Sequence, residues 1–121
     1  MKSVLKEKEK EKEALHIFIE RVRQKLGDHL VSIKLFGSKA RGADSPLSDV
    51  DVAVIVDREN LNLEDAVLDI AFDINLDFDL YISPKIIPVE IFEHPVWRLS
   101  PFLKNIQKEG VDFWTRNVRA L

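Results

Sequence analysis

Apolar residues at Leu15, Phe18, Ile19, Val22 and Leu26 recur at helical spacing and predict one amphipathic stripe, stopped by Gly27 and Asp28. Ahead of it, residues 1–13 form a charged arm in which Lys and Glu alternate from Lys6 onward. Helical geometry would put opposite charges at i,i+3 and like charges at i,i+4, so the arm reads as a solvated helix with mixed electrostatic support. The pattern then changes period. Val31 to Phe36 alternates and is rich in β-branched residues, which predicts a strand ending abruptly at Gly37-Ser38. Lys39 to Ser48 contains Gly42, Asp44, Ser45 and Pro46 and reads as a short helical turn followed by a loop. Val50 to Val56 is apolar except for Asp51 and predicts a buried strand. Asn62 reads as a helix N-cap, with Glu64 and Asp65 in the first turn and Leu63, Ala66, Val67, Ile70, Ala71 and Ile74 on the apolar face. Phe78 to Ile82 returns to alternation, with Asp77, Asp79 and Tyr81 on one side of a strand whose end Pro84 and Pro88 roughen. From Val89 onward the chain predicts a short helix, a loop and a helix over Pro101 to Lys108 closed by Gly110. The order helix, strand, turn, strand, helix, strand predicts an α/β (α+β) domain: a small mixed sheet flanked by helices.

With 121 residues the chain holds one domain, 1–121, and lacks the length for two. Apolar residues make up 45% and charged residues 32%, a composition of globular domains with a well-hydrated surface. No apolar run approaches the ~20 residues that span a bilayer, and the Lys/Glu-rich start is unlike a signal peptide, so a cytoplasmic protein without a membrane partner is expected. The absence of cysteine excludes disulfides, thiolate metal sites and a cysteine nucleophile. A net charge of −3 argues against extensive nucleic-acid binding through a broad basic surface and leaves a local basic groove open. It leaves homo-oligomerisation open as well.

Asp49 and Asp51 stand two apart at the start of a strand, where period-2 geometry puts both carboxylates on one face, away from Val50, Val52 and Val54. Two adjacent anions on an apolar strand either sit at its wet end or hold a cation between them, and Mg²⁺ accepts carboxylate and phosphate oxygens together. Upstream, ten residues separate Ser38 from Asp49. A strand that ends in Gly37-Ser38 and turns toward a helix exposes backbone N–H groups and a hydroxyl that suit a phosphate, and Arg41 can add a forked donor. Read singly, Gly-Ser is an ordinary turn and Arg41 a surface charge; together with Asp49 and Asp51 they make a phosphate cradle facing a metal site. Asp79, expected in the middle of the following strand, would face the same pocket, with Asp77 as its rival.

The runs Leu35-Phe36-Gly37-Ser38-Lys39-Ala40-Arg41-Gly42 and Ser48-Asp49-Val50-Asp51-Val52-Ala53-Val54 resemble the signature of minimal nucleotidyltransferases of the DNA polymerase β-like superfamily. That signature is Gly-Ser, about ten residues, Asp-x-Asp, and a third Asp on a later strand. The resemblance implies the polymerase β-like fold. It implies catalytic and metal-binding roles for Asp49, Asp51 and Asp79, nucleotide binding by Gly37 and Ser38, two Mg²⁺ ions, and ATP as the nucleotide substrate. It also implies a partner: small proteins of this family pair with HEPN-domain toxins as antitoxins, and some add AMP to the partner.

The leading expectation is therefore an enzyme moving AMP from ATP to an acceptor that a second protein presents. Two other readings stand beside it: a non-catalytic module that neutralises its partner by contact, and a transferase acting on a small molecule. His16, His29 and His94 are scattered and match no ligand spacing. Trp97, Phe102, Phe113 and Trp114 read as packing for the C-terminal helix or as an exposed partner patch.

Overall fold

The computed structural model describes residues 2–37 and 49–116. Helix α1 spans Lys2–Leu26. Its stripe holds: Leu15, Phe18, Val22 and Leu26 are buried together with Ala14, and the arm continues the same helix. Gly27 ends α1 at φ +54°, a left-handed position open to glycine, and Gly27–His29 forms one 3₁₀ turn. The sheet strands are β1 (Leu30–Phe36), β2 (Val50–Val56), β3 (Ile82–Pro88) and β4 (Val111–Thr115). Helix α2 spans Leu61–Phe78, α3 Val89–Phe92 and α4 Pro101–Glu109. The spatial order is β3-β2-β1-β4, with β2–β3 parallel and the other pairs antiparallel. This is the expected mixed sheet flanked by helices.

Alternation along β2 divides the core in two. Val50, Val52, Val54 and Val56 face Phe18 and Val22 of α1 and Val67, Ala71 and Ile74 of α2. Ala53 and Ile55 face Leu103 and Ile106 of α4 on the other side of the sheet. Phe18 lies at the first interface with no exposed surface. Phe18→Ala is expected to cost about 3–5 kcal/mol, read as a lower midpoint in urea unfolding with an unchanged slope.

Three local expectations need correction. The cap of α2 is Asn60, two residues before the expected Asn62: its side chain accepts from the backbone N–H of Asn62 (2.9 Å) and Leu63 (3.3 Å). The segment expected as a strand over Phe78 to Ile82 begins inside α2. Phe78 continues the helical row Val67, Ala71, Ile74 and packs half-buried on the first core, so its apolar spacing serves a helix as well as a strand. Asp79 then ends the helix in the left-handed conformation (φ 53°, ψ 50°), its N–H donating to the carbonyl of Asn75. The strand starts only at Ile82 and runs through Pro84 and Pro88, which β3 tolerates as an edge strand. Finally, β4 was not expected: Phe113 and Trp114 pack half-buried from a strand.

The open side of β3 is closed locally. The Asn75 amide donates to the carbonyl of Ile82 (3.1 Å) and accepts from its N–H (2.7 Å), as a neighbouring strand would. No described helix is long and apolar enough to cross a membrane.

Candidate active site

Three strands bring side chains to one level on one face of the sheet. Phe36, the last residue of β1, pairs with Asp51 of β2, and Asp51 pairs with Ser83 of β3. Paired residues share a face, with Cβ atoms of antiparallel neighbours about 5 Å apart. The row Phe36, Asp51, Ser83 thus lies opposite the Val50, Val52, Val54 face, as the alternation of β2 requires. Asp49 precedes β2 and is exposed, whereas Asp51 is half-buried. The N–H of Val50 between them donates to the carbonyl of Tyr81 (2.9 Å), which fixes the start of β2 against the chain entering β3.

Gly37 forms the turn after β1 with φ +77°. A Cβ placed on it would lie 2.5 Å from Asp51 Oδ2 and 3.3 Å from its Cγ. The backbone of the Gly37 turn therefore lies against the Asp51 carboxylate, at a φ that side-chain-bearing residues rarely adopt. This contact joins the two halves of the motif. Ser38 and Arg41 lie outside the described residues.

The third expected carboxylate is elsewhere. Asp79 is exposed at the C-terminus of α2, Asp77 is exposed on the helix two residues before it, and neither stands on β3. Among the described residues no three Asp, Glu or His side chains gather closely enough to hold a metal ion. The β3 side chain beside Asp51 is Ser83, a residue that strand register alone reveals and that sequence spacing does not. Two carboxylates at a strand end, one half-buried and one exposed, still suit a divalent cation that takes its remaining ligands from phosphate and water.

Asp79 instead borders an open groove of about 620 Å³ between α2 and β3, lined by Leu68, Phe72, Leu76, Tyr81, Ser83 and Lys85 among others. Leu68, Phe72, Leu76 and Tyr81 are all exposed. Of the other groups weighed in the sequence, His29 pairs with Asp57 (3.0 Å) and the His94 ring accepts from the N–H of Val96 (3.1 Å). Both do structural work. Trp97 is exposed, and Phe102 meets Phe36 edge-on.

The nucleotidyltransferase domain family model matches residues 15–117, and the chain belongs to that family. A curated protein of Methanocaldococcus jannaschii, MJ1305, provisionally named a protein adenylyltransferase, is 36% identical over 73 residues, covering 58% of this chain. The chain spans half the length of that relative. Among solved structures, a toxin–antitoxin complex with AMP-PNP superposes with a TM-score of 0.52 at 19% identity, covering 83% of this chain and 73% of the other. A variant of the toxin–antitoxin MntA–HpeT gives 0.51 at 20% identity over 82% and 71%. At these identities the structural likeness establishes the fold.

Proposed function

We propose that the Gly37–Asp51 corner binds a nucleoside triphosphate with Mg²⁺ and that the protein transfers AMP from ATP to a hydroxyl of an acceptor protein. The observation that carries this reading is the contact between the Gly37 turn and the Asp51 carboxylate. It puts a glycine turn that suits a phosphate beside a carboxylate that suits a cation, as attack on an α-phosphate demands. Family membership, the name of the M. jannaschii relative and the AMP-PNP complex among the structural neighbours support it.

In the transfer, the acceptor oxygen forms a bond to the α-phosphorus, the bond from that phosphorus to the bridging oxygen breaks, and pyrophosphate leaves with its electron pair. The acceptor hydroxyl gives up its proton to solvent. Mg²⁺, the expected pair included, would be held by Asp49 and Asp51 and would supply positive charge against the triphosphate and its leaving group. Ser38 and Arg41 complete the phosphate cradle in this reading. Gly37 lets the phosphates approach the backbone, and the half-buried Asp51 holds its ligand oxygens on a rigid strand. Asp79 caps α2 and borders the α2–β3 groove instead of standing on β3, so this reading gives the cation to Asp49 and Asp51.

The acceptor is a partner toxin of the HEPN kind, this chain being its antitoxin, with ATP supplied in the cytoplasm. The toxin–antitoxin neighbours support that assignment, and so does the groove beside Ser83. Its apolar row Leu68, Phe72, Leu76 is bordered along α2 by Asp65, Asp69, Asp73 and Asp77. The edge of β3 is closed to an added strand by Asn75 at Ile82 and by the two prolines. The fitting occupant is an amphipathic helix of the partner with a basic border. A second copy of this chain would set acidic row against acidic row. Phe72→Ser is expected to reduce labelling of the partner at least ~10-fold at limiting partner concentration while leaving ATP affinity unchanged, since a fully desolvated aromatic anchor contributes about 2 kcal/mol or more.

The test of the transfer itself uses ATP labelled at the α- or the γ-phosphate, Mg²⁺ and the product of the neighbouring gene. Label passing to that protein from the α position alone is the expected result. Transfer from the γ position would make the protein a kinase, and transfer from neither would leave contact neutralisation as the activity.

A further inference from the structure

The row on the active face does not end at Asp51. Phe36, its neighbour on β1, is 9% exposed, and the Phe102 ring stands 5.6 Å from it, centroid to centroid, at 87°. This edge-to-face contact fixes the plane of Phe102, yet 43% of that residue is exposed. Phe102 lies in the first turn of α4, whose buried contacts to the sheet come from Leu103 and Ile106. The helix therefore does not need Phe102 for its own packing. The ring is held from one side, on the face of the sheet that carries Asp51, one side chain beyond the cross-strand partner of the carboxylate.

We infer that Phe102 is the platform on which the base of the bound nucleotide stacks. The inference rests on the reading of the Gly37–Asp51 corner as a triphosphate site. With the phosphates at Gly37 and Asp51, the ribose and base extend outward from the corner, and the exposed aromatic ring stands against Phe36, the cross-strand neighbour of Asp51. Stacking on a flat ring needs no hydrogen-bond readout and favours the larger π-surface, so the site takes purine over pyrimidine nucleotides.

Binding of Mg²⁺·ATP, Mg²⁺·CTP and Mg²⁺·tripolyphosphate to the full chain, measured by calorimetry, tests this separately from the phosphate site. The wild type is expected to bind ATP more tightly than CTP, and CTP more tightly than tripolyphosphate. Phe102→Leu, which retains an apolar contact with Phe36, is expected to weaken ATP about 5- to 100-fold and to leave tripolyphosphate unchanged, with Phe102→Tyr restoring ATP binding. If wild type binds ATP no better than tripolyphosphate, or Phe102→Leu binds ATP as wild type does, the platform is overturned and the phosphate site stands. Equal weakening of ATP and tripolyphosphate in Phe102→Leu overturns it too, since Phe102 then acts through the shape of the corner. If wild type binds none of the three, the triphosphate site itself fails.

Discussion

Gly37→Ala is expected to cost about 1–3 kcal/mol of stability and to lower nucleotidyl transfer on the order of 100-fold, the activity loss being the larger effect. Two physical causes combine. The backbone at Gly37 sits at φ +77°, where an L-residue is strained. The added methyl would also stand 2.5 Å from Asp51 Oδ2, a separation that real Cβ atoms do not tolerate. Something must move, and the neighbours differ in what they can give. Asp51 is anchored in β2 between β1 and β3, so its backbone is held by ladders on both sides. The carboxylate rotates or the turn lifts, and either motion displaces the turn backbone, the proposed phosphate site, from the proposed cation ligand. Thermal melting together with transfer rate measures both effects. A variant with wild-type rate would show that the turn and the carboxylate do not act together.

Asp51→Asn and Asp49→Asn are each expected to reduce transfer by at least ~10²–10³-fold. The substitutions keep the shape of the side chain and remove the charge that a hard cation requires. Near-isosteric replacement leaves the Val50, Val52, Val54 packing on the opposite face of β2 untouched, so the folded state persists. Asp51 is the more sensitive position, because it is half-buried in the sheet while Asp49 is exposed and free to be substituted by water at the cation. Transfer rates at saturating and limiting Mg²⁺ separate the two: the Asp49 variant recovers part of its rate at high Mg²⁺, and the Asp51 variant does not.

The sequence carried most of this architecture because its periods are unmixed. The stripe of α1, the alternation of β1 and the apolar run of β2 each fit one template. Legibility failed where one spacing served two. Phe78, Leu80 and Ile82 alternate like a strand, but Phe78 also continues the helical row from Ala71 and Ile74, and tertiary packing on the first core decided for the helix. With that decision Asp79 moved from a strand centre to a helix cap. The Gly37 and Asp51 partnership was legible because it is local: a strand end, a turn and the next strand must return to each other. Ser83 and Phe102 were not, since Ser83 comes beside Asp51 through strand register and Phe102 against Phe36 through helix docking, which residue spacing does not encode. The strand at Val111–Thr115 was missed for a related reason: Val111-Asp112-Phe113-Trp114 is short and pairs with the distant β1.

The most direct measurement is the intact mass of the acceptor protein after incubation with ATP and Mg²⁺, paired with an assay of its toxicity. With the wild-type chain the acceptor is expected to gain one or more AMP increments and to lose its toxicity; with the Asp49→Asn, Asp51→Asn double variant it is expected to stay unmodified and toxic. Full neutralisation by the double variant with no change in acceptor mass would show that contact, and not AMP transfer, silences the toxin.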